Sequence, residues 1–204
     1  MMEVDVYILH TSDVKEKHPY VLSIVDKQRA LKVSKYVHEK DQLLSLGAGY
    51  LLFKFLPKEQ IKETKSGKPY LENGPFFNIS HSGELVALAI CEDSNVGIDI
   101  EKIDEKKINA IKSILCENEK NTENPGDLFK IWSNKESVLK CRLEPLIDVR
   151  KVSGLPFDGV RELDNRLYYT KSMNYEGYSL SATVEGDKPF KLNIKNVTVS
   201  ELEK

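Results

Sequence analysis

The chain has little with which to build a disulfide framework or a metal knuckle. Of its 204 residues only three are cysteine, Cys91, Cys116 and Cys141. Their odd number and wide spacing leave them to read as free or buried thiols in a reducing compartment. An excess of one charge is also missing, with 30 Lys and Arg against 32 Asp and Glu. That balance argues against a nucleic-acid binder, which usually carries a basic surplus. No apolar run approaches the roughly 20 residues of a membrane span. The start, Met1 to Leu9, has no basic region and is too short for the core of a signal peptide. The expectation is a cytoplasmic protein, one large domain or two small ones sharing a core.

What the sequence does have is concentrated in a few short stretches. Val96-Gly-Ile-Asp-Ile-Glu101 alternates strictly. As a strand it turns Val96, Ile98 and Ile100 to one face and Gly97, Asp99 and Glu101 to the other. Its two carboxylates then lie about 6.5–7 Å apart at their Cα atoms. Both can reach one hard cation such as magnesium. Gly97 leaves the same face bare, so something bulky can approach. Alone, the pattern fits equally a half-exposed strand with charges on its wet side.

In chain order, Val4 to Leu9 reads as a strand. The lysine-rich stretch 26–40 reads as a solvated helix. Asp41 is placed to cap a buried helix from Gln42 to Leu56, stopped by Pro57. Gly47 and Gly49 within it point to close approach of another backbone. Ser66–Pro69 and Glu72–Pro75 read as turns. Phe76–Ile79 is a short strand running into a turn at Ser80-His-Ser-Gly83. Leu85–Cys91, continuously apolar, is a central strand covered on both faces. Lys106–Cys116 reads as a helix and Glu117–Gly126 as a loop. A helix capped by Asp127 follows, running to Cys141. After Pro145 and Pro156 break the next segment, strands are expected at Arg166–Lys171, Gly177–Val184 and Phe190–Val199. Each half thus starts with a strand, passes through helices and ends in a hairpin-like pair. The expected fold class is α+β: two similar halves, 1–95 and 96–204, related by a pseudo-two-fold, with a ligand cleft at the seam.

Two further clusters carry chemistry. On the helix ending at Cys141, Trp132, Glu136 and Lys140 are four apart and form one row, with Lys135 beside it. Glu136 and Lys140 can equally be an exposed ion pair. In Asn78-Ile-Ser-His-Ser-Gly83, backbone and hydroxyl donors with His81 could cradle a phosphate, or the serines could simply cap a turn.

Phe77–Gly83, Val96–Glu101 and Trp132–Ser137 with Lys140, in this order, resemble the 4′-phosphopantetheinyl transferases of the larger, surfactin-synthetase-activating (Sfp) type. Gly67-Lys-Pro69 is similar to that type too. The likeness covers about residues 67–140 and implies a Mg²⁺-dependent reaction. Coenzyme A gives its phosphopantetheine arm to a serine of an acyl or peptidyl carrier protein, releasing adenosine 3′,5′-bisphosphate. By the resemblance, Asp99, Glu101 and Glu136 hold the metal. Glu136 and Lys140 act in catalysis. Lys68, Pro69, Ser80, His81, Lys135 and Lys140 contact coenzyme A. The protein is expected to act as a monomer, away from nucleic acid and membrane. The family's basic grip on the 3′-phosphate falls here on Gln28, Leu31 and Leu44, so either Lys27, Arg29 or Lys32 substitutes after a one-residue shift, or coenzyme A is held more weakly or by a different grip. The acidic loop 117–126 is a poor match for an acidic carrier. Another pyrophosphate-cleaving activity on the same carboxylates, or a binding module without chemistry, are the rival readings.

Overall fold

The computed structural model describes residues 1–57, 61–64, 68–142 and 148–200. The expected turn at Ser66–Pro69 lies partly outside the described residues, as does the Gly67 of the family resemblance. The break at Pro145 lies wholly outside them.

Strand β1 (Glu3–His10) alternates as its sequence dictates. Val4, Val6 and Ile8 face a second sheet, while Leu9 faces helices. Two short helices follow that the sequence reading left out, α1 (Thr11–Glu16) and α2 (His18–Ile24). The expected helix 26–40 is shorter, α3 (Lys27–Val33). Asp26 caps it, its carboxylate accepting the Arg29 N–H at 2.8 Å. It ends because the next amides tighten onto carbonyls three residues back, Lys35 to Lys32 and Tyr36 to Val33.

The long helix α4 (Glu39–Phe55) is buried from Leu43 to Leu52. It starts two residues before the expected cap. Asp41 sits in its first turn, where an acid meets the positive end of the helix dipole. Gly47 and Gly49 admit side chains, not a backbone. A Cβ on Gly47 would lie 3.1 Å from Val86, and one on Gly49 would collide with Val25 and Arg29.

A small ribbon of β2 (Ile61–Glu63) and β3 (Pro69–Leu71) leads into β4 (Phe76–Ser82), β5 (Leu85–Cys91) and β6 (Val96–Lys102). β4 runs three residues further than expected and takes in Ser80, His81 and Ser82. The turn is left to Gly83, at φ +61°, and Glu84. β5 is buried along almost its whole length between β1 and β4, as its apolar run requires.

In place of the helix 106–116 there is a 3₁₀ turn and then α5 (Ile108–Lys112). Helix α6 (Pro125–Cys141) is capped by Asn124, which accepts the Asp127 N–H at 3.1 Å, with Pro125 at the first helical position. The capping residue is therefore Asn124, not Asp127. β7 (Asp158–Leu163), unforeseen, precedes β8 (Arg166–Tyr175), β9 (Tyr178–Glu185) and β10 (Lys191–Val197).

The strands form two four-stranded sheets, β10-β1-β5-β4 and β6-β9-β8-β7, the second wholly antiparallel. The fold is α+β, each sheet carrying a helix of 17 residues. The two sheets also share a core, in which Val4, Val6, Ala87 and Ala89 meet Ile98, Ile100, Leu180 and Ala182. β10, from the second half of the chain, lies beside β1 in the first sheet. No helix among the described residues is long and apolar enough to cross a membrane.

Candidate active site

The site forms where α6 lies on β6. The helix can come this close for two reasons. Its facing side is made of small hydroxyl residues: Ser133 Oγ is 2.7 Å from both Ser179 and Ser181 of β9, and Ser137 Oγ is 2.7 Å from Thr183. Each buried hydroxyl thereby finds a partner, which burial demands. The second reason is Gly97, where a Cβ would overlap the Ser137 carbonyl oxygen and the Cys141 amide nitrogen. The bulky neighbour that Gly97 admits is the helix itself.

This approach turns the Trp132–Glu136–Lys140 row onto the carboxylates. The Trp132 indole N–H donates to Glu101 Oε1 at 3.3 Å. The Lys140 ammonium donates to Asp99 Oδ1 at 2.5 Å and to Ser80 Oγ at 3.0 Å. Glu136, half-buried between them, feels the charge of both Asp99 and Glu101. Lys140 thus pairs with the strand rather than along its own helix. The strand alternation holds: Ile98 and Ile100 lie in the shared core, while Asp99 turns to α6.

The electrostatics are those of acids held together out of water. Burial pushes the Asp99 carboxyl above its ordinary value, with Lys140 pulling it partly back. Burial also pushes Glu136 up. The Asp99 charge adds to that and Lys140 offsets it in part. Asp99 Oδ2 is buried and accepts no hydrogen bond from the described residues. Among those residues no three His, Cys, Asp or Glu side chains already converge as a metal cage. Even so, oxygen donors on one face, one of them an orphaned buried oxygen, suit a hard divalent cation.

Three of the expected coenzyme A contacts have partners within the fold. Lys135 is fully buried and points away from the site. It pairs with Glu119 at 2.8 Å and donates to the Val152 carbonyl at 2.7 Å. A buried ammonium needs such partners, and the ones Lys135 has here belong to the fold. The same pair changes the reading of the acidic loop. Glu119 is internal, and Glu117 is paired with Lys120 at 2.5 Å, so the segment shows less bare acid than its composition suggests. Lys68 donates to the carbonyls of Lys140 and Arg142, the latter at 3.0 Å. It caps the negative end of α6, a structural position rather than an open one. Ser80 is buried and its hydroxyl is committed to Asp99. It is a neighbour of the carboxylates.

His81, next along β4 and so turned to its other face, is exposed. Partial burial of the ring, then the positive charge of Lys140 and also that of Lys32, holds it below the ordinary imidazole range. Lys32 and Pro69 also line a cavity of about 690 Å³ together with Gln28, Arg29, Gly49 and Glu63. Sequence reasoning missed Ser82 and Lys107, which reach Glu101 Oε2 at 2.9 and 3.4 Å. The signal for Ser82 was the period of two in Asn78-x-Ser80-x-Ser82, hidden by a turn-like composition.

Residues 95–183 match the model of the 4′-phosphopantetheinyl transferase superfamily. The chain is similar to the 4′-phosphopantetheinyl transferase gsp of Aneurinibacillus migulanus, 34% identical over 137 residues, which is 60% of this chain and 57% of that protein. It is also similar to the 4′-phosphopantetheinyl transferase AcpT of Salmonella typhi, 32% identical over 97 residues, or 42% and 50% of the two chains. With AcpT of Escherichia coli K12 it is 31% identical over 107 residues, or 47% and 55%. The chain spans about half the length of the curated relatives it matches.

Proposed function

We propose, from the match of residues 95–183 to the model of the 4′-phosphopantetheinyl transferase superfamily, that this chain transfers the 4′-phosphopantetheine arm of coenzyme A to a serine of an apo acyl or peptidyl carrier protein. The observation that carries the proposal is the meeting of the α6 row with Asp99 and Glu101 of β6. The serine Oγ forms a bond to the phosphorus nearer the pantetheine. The bridging P–O bond breaks, and its electron pair leaves with adenosine 3′,5′-bisphosphate. The serine proton goes to a base. Glu136 is that base: it stands half-buried on the α6 row beside Asp99 and Glu101, where it can take the proton directly or through a water. Lys140, set between Asp99 and Ser80, brings positive charge to the phosphate side. Asp99, Glu101 and Glu136 would hold a Mg²⁺ ion, which supplies neutralising charge at the pyrophosphate oxygens.

The family's early-helix grip on the 3′-phosphate is rebuilt here around His81 and Lys32. Of the substitutes, Arg29 is already engaged, with the Ser45 carbonyl at 3.2 Å and Asp26 at 3.8 Å. Leu44 is core. Lys32 is exposed and close enough to His81 to shift it. With the ring neutral near pH 7, His81 serves as an N–H donor to phosphate. The protein acts as a monomer in the cytoplasm, where its three free thiols suit a reducing milieu.

The assignment is tested by intact-mass spectrometry on a panel of apo-carriers incubated with the protein, Mg²⁺ and coenzyme A. At least one gains a phosphopantetheine on its serine. No gain on any carrier, alongside a working transferase as control, would sink it. In a second experiment, His81→Ala raises the KM for coenzyme A about ten- to a hundredfold, the scale of one charge-assisted hydrogen bond. Dephospho-coenzyme A, which lacks the 3′-phosphate, serves parent and variant equally, and Lys32→Ala shows the same pattern more weakly. A His81→Ala protein that still discriminates the two donors as the parent does would remove His81 from the 3′-phosphate.

A further inference from the structure

β4 and β6 run side by side with a constant offset of 20 residues, yet they share no backbone ladder. β4 instead turns three side chains edge-on to β6 and lets them take its amides. Asn78 Oδ1 accepts the Ile98 N–H at 3.1 Å, Ser80 Oγ the Ile100 N–H at 3.4 Å, and Ser82 Oγ the Lys102 N–H at 3.1 Å. The period of two on both strands makes the pattern repeat. A serine in this arrangement has one hydrogen left to give, and its oxygen is already fixed by the strand. Ser80 gives its hydrogen to Asp99 Oδ1 at 3.0 Å and Ser82 gives its to Glu101 Oε2 at 2.9 Å. At the third place the residue preceding the bonded amide is Gly97, which has no side chain, and there the strand carries an amide, Asn78, in place of a serine.

We propose that Ser82, with Ser80, is a positioning residue: each serine is locked by the backbone of β6 and in turn fixes the carboxylate that precedes the amide it binds. Ser82 and the Trp132 indole hold the two oxygens of Glu101 from opposite elements, one from the first half of the chain and one from α6. The carboxylate is therefore oriented before any ligand arrives. Asn78 performs the seam function alone and touches no carboxylate, which separates holding the seam from aiming the acids.

This inference rests on the metal reading above, and its test separates the two. Mn²⁺ serves as the probe, followed by electron paramagnetic resonance in the presence of coenzyme A and without carrier. Ser82→Ala weakens Mn²⁺ binding about ten- to a hundredfold, the usual cost of losing a hydrogen bond to a metal ligand. Asn78→Ala lowers the melting temperature but leaves the Mn²⁺ affinity within about twofold of the parent. Should Ser82→Ala fail to fold, Ser82→Cys, of similar size and a poor donor, takes its place with the same expected loss. Equal Mn²⁺ affinity in the Ser82 variant and the parent would overturn the positioning role and leave the metal reading intact. Equal losses in the Ser82 and Asn78 variants would reduce both to seam residues. A parent that binds no Mn²⁺ would remove both the metal reading and the inference.

Discussion

Glu136→Gln keeps the fold and lowers turnover by at least about a hundredfold, the scale of losing a general base. The amide has the size of the acid and still fits between Asp99 and Glu101, but it can neither take the serine proton nor bring charge to a cation. The pH profile tells this role from a structural one. A base works only when deprotonated, so the rate is present above its pKa and lost as pH falls through it. Burial and Asp99 raise that pKa in metal-free Glu136, and a bound Mg²⁺ would pull it back down, so the acid limb of the parent moves to lower pH as Mg²⁺ is raised. In Glu136→Gln that limb disappears from the residual rate. Were Glu136 merely one partner of an exposed helical pair, the change would cost under about 1 kcal/mol of stability and leave turnover alone. A well-folded Glu136→Gln protein with near-parental turnover would refute the assigned role.

Gly97→Ala is expected to be the most damaging single-methyl change in the molecule. The added carbon would occupy the space of the Ser137 carbonyl oxygen and the Cys141 amide nitrogen. Both are helix backbone, so no rotamer change can relieve the overlap. The whole of α6 must lift from β6, breaking the hydroxyl contacts of Ser133 and Ser137 as it goes. Overpacking a side-chain core costs about 1–3 kcal/mol, and overlap with rigid backbone belongs at or beyond the top of that range. For a chain of this size, about 3 kcal/mol lowers the melting temperature by about 6–12 °C. Because the lift separates Glu136 from Asp99, activity falls even below the melting range. A Gly97→Ala protein melting within about 2 °C of the parent would show that the helix does not sit as described.

The readable parts of this protein were those in which one local period decides the outcome. Val96 to Glu101 alternates, and both its faces proved to be used: the branched residues in the core between the sheets, the acids toward α6. Trp132, Glu136 and Lys140 share a row because a helix repeats every 3.6 residues, and the strand carboxylates found that row. Lys135 and Lys140 are the instructive contrast. They are the same residue type on the same helix, about 500° of rotation apart. Only packing reveals that Lys135 faces Glu119, contributed by a segment with no periodic signal of its own. Ser80 and Ser82 were hidden differently. Ser-His-Ser-Gly has the composition of a turn, and a strand edge that needs hydroxyl acceptors is visible only once β6 lies alongside. Helices α1 and α2 are each of seven residues or fewer and bury only Thr11, Val14 and Val21, too little for an amphipathic stripe.

The pairing of β10 with β1 sets an order of events. β1 is made long before its neighbour: the strand that completes its outer edge lies 188 residues further on at Asp5 and Asn193. While the chain grows from the ribosome, the first sheet can gather β1, β5 and β4 but must wait with a row of unsatisfied amides and carbonyls. Such an edge invites pairing with another chain. Closing so long a loop makes the last step of assembly the most non-local one, and non-local closure is slow. The metal-side helix and its sheet, made of residues much nearer to one another in the chain, can be in place first. The vulnerable interval in this molecule's life is therefore the one before its far strand arrives.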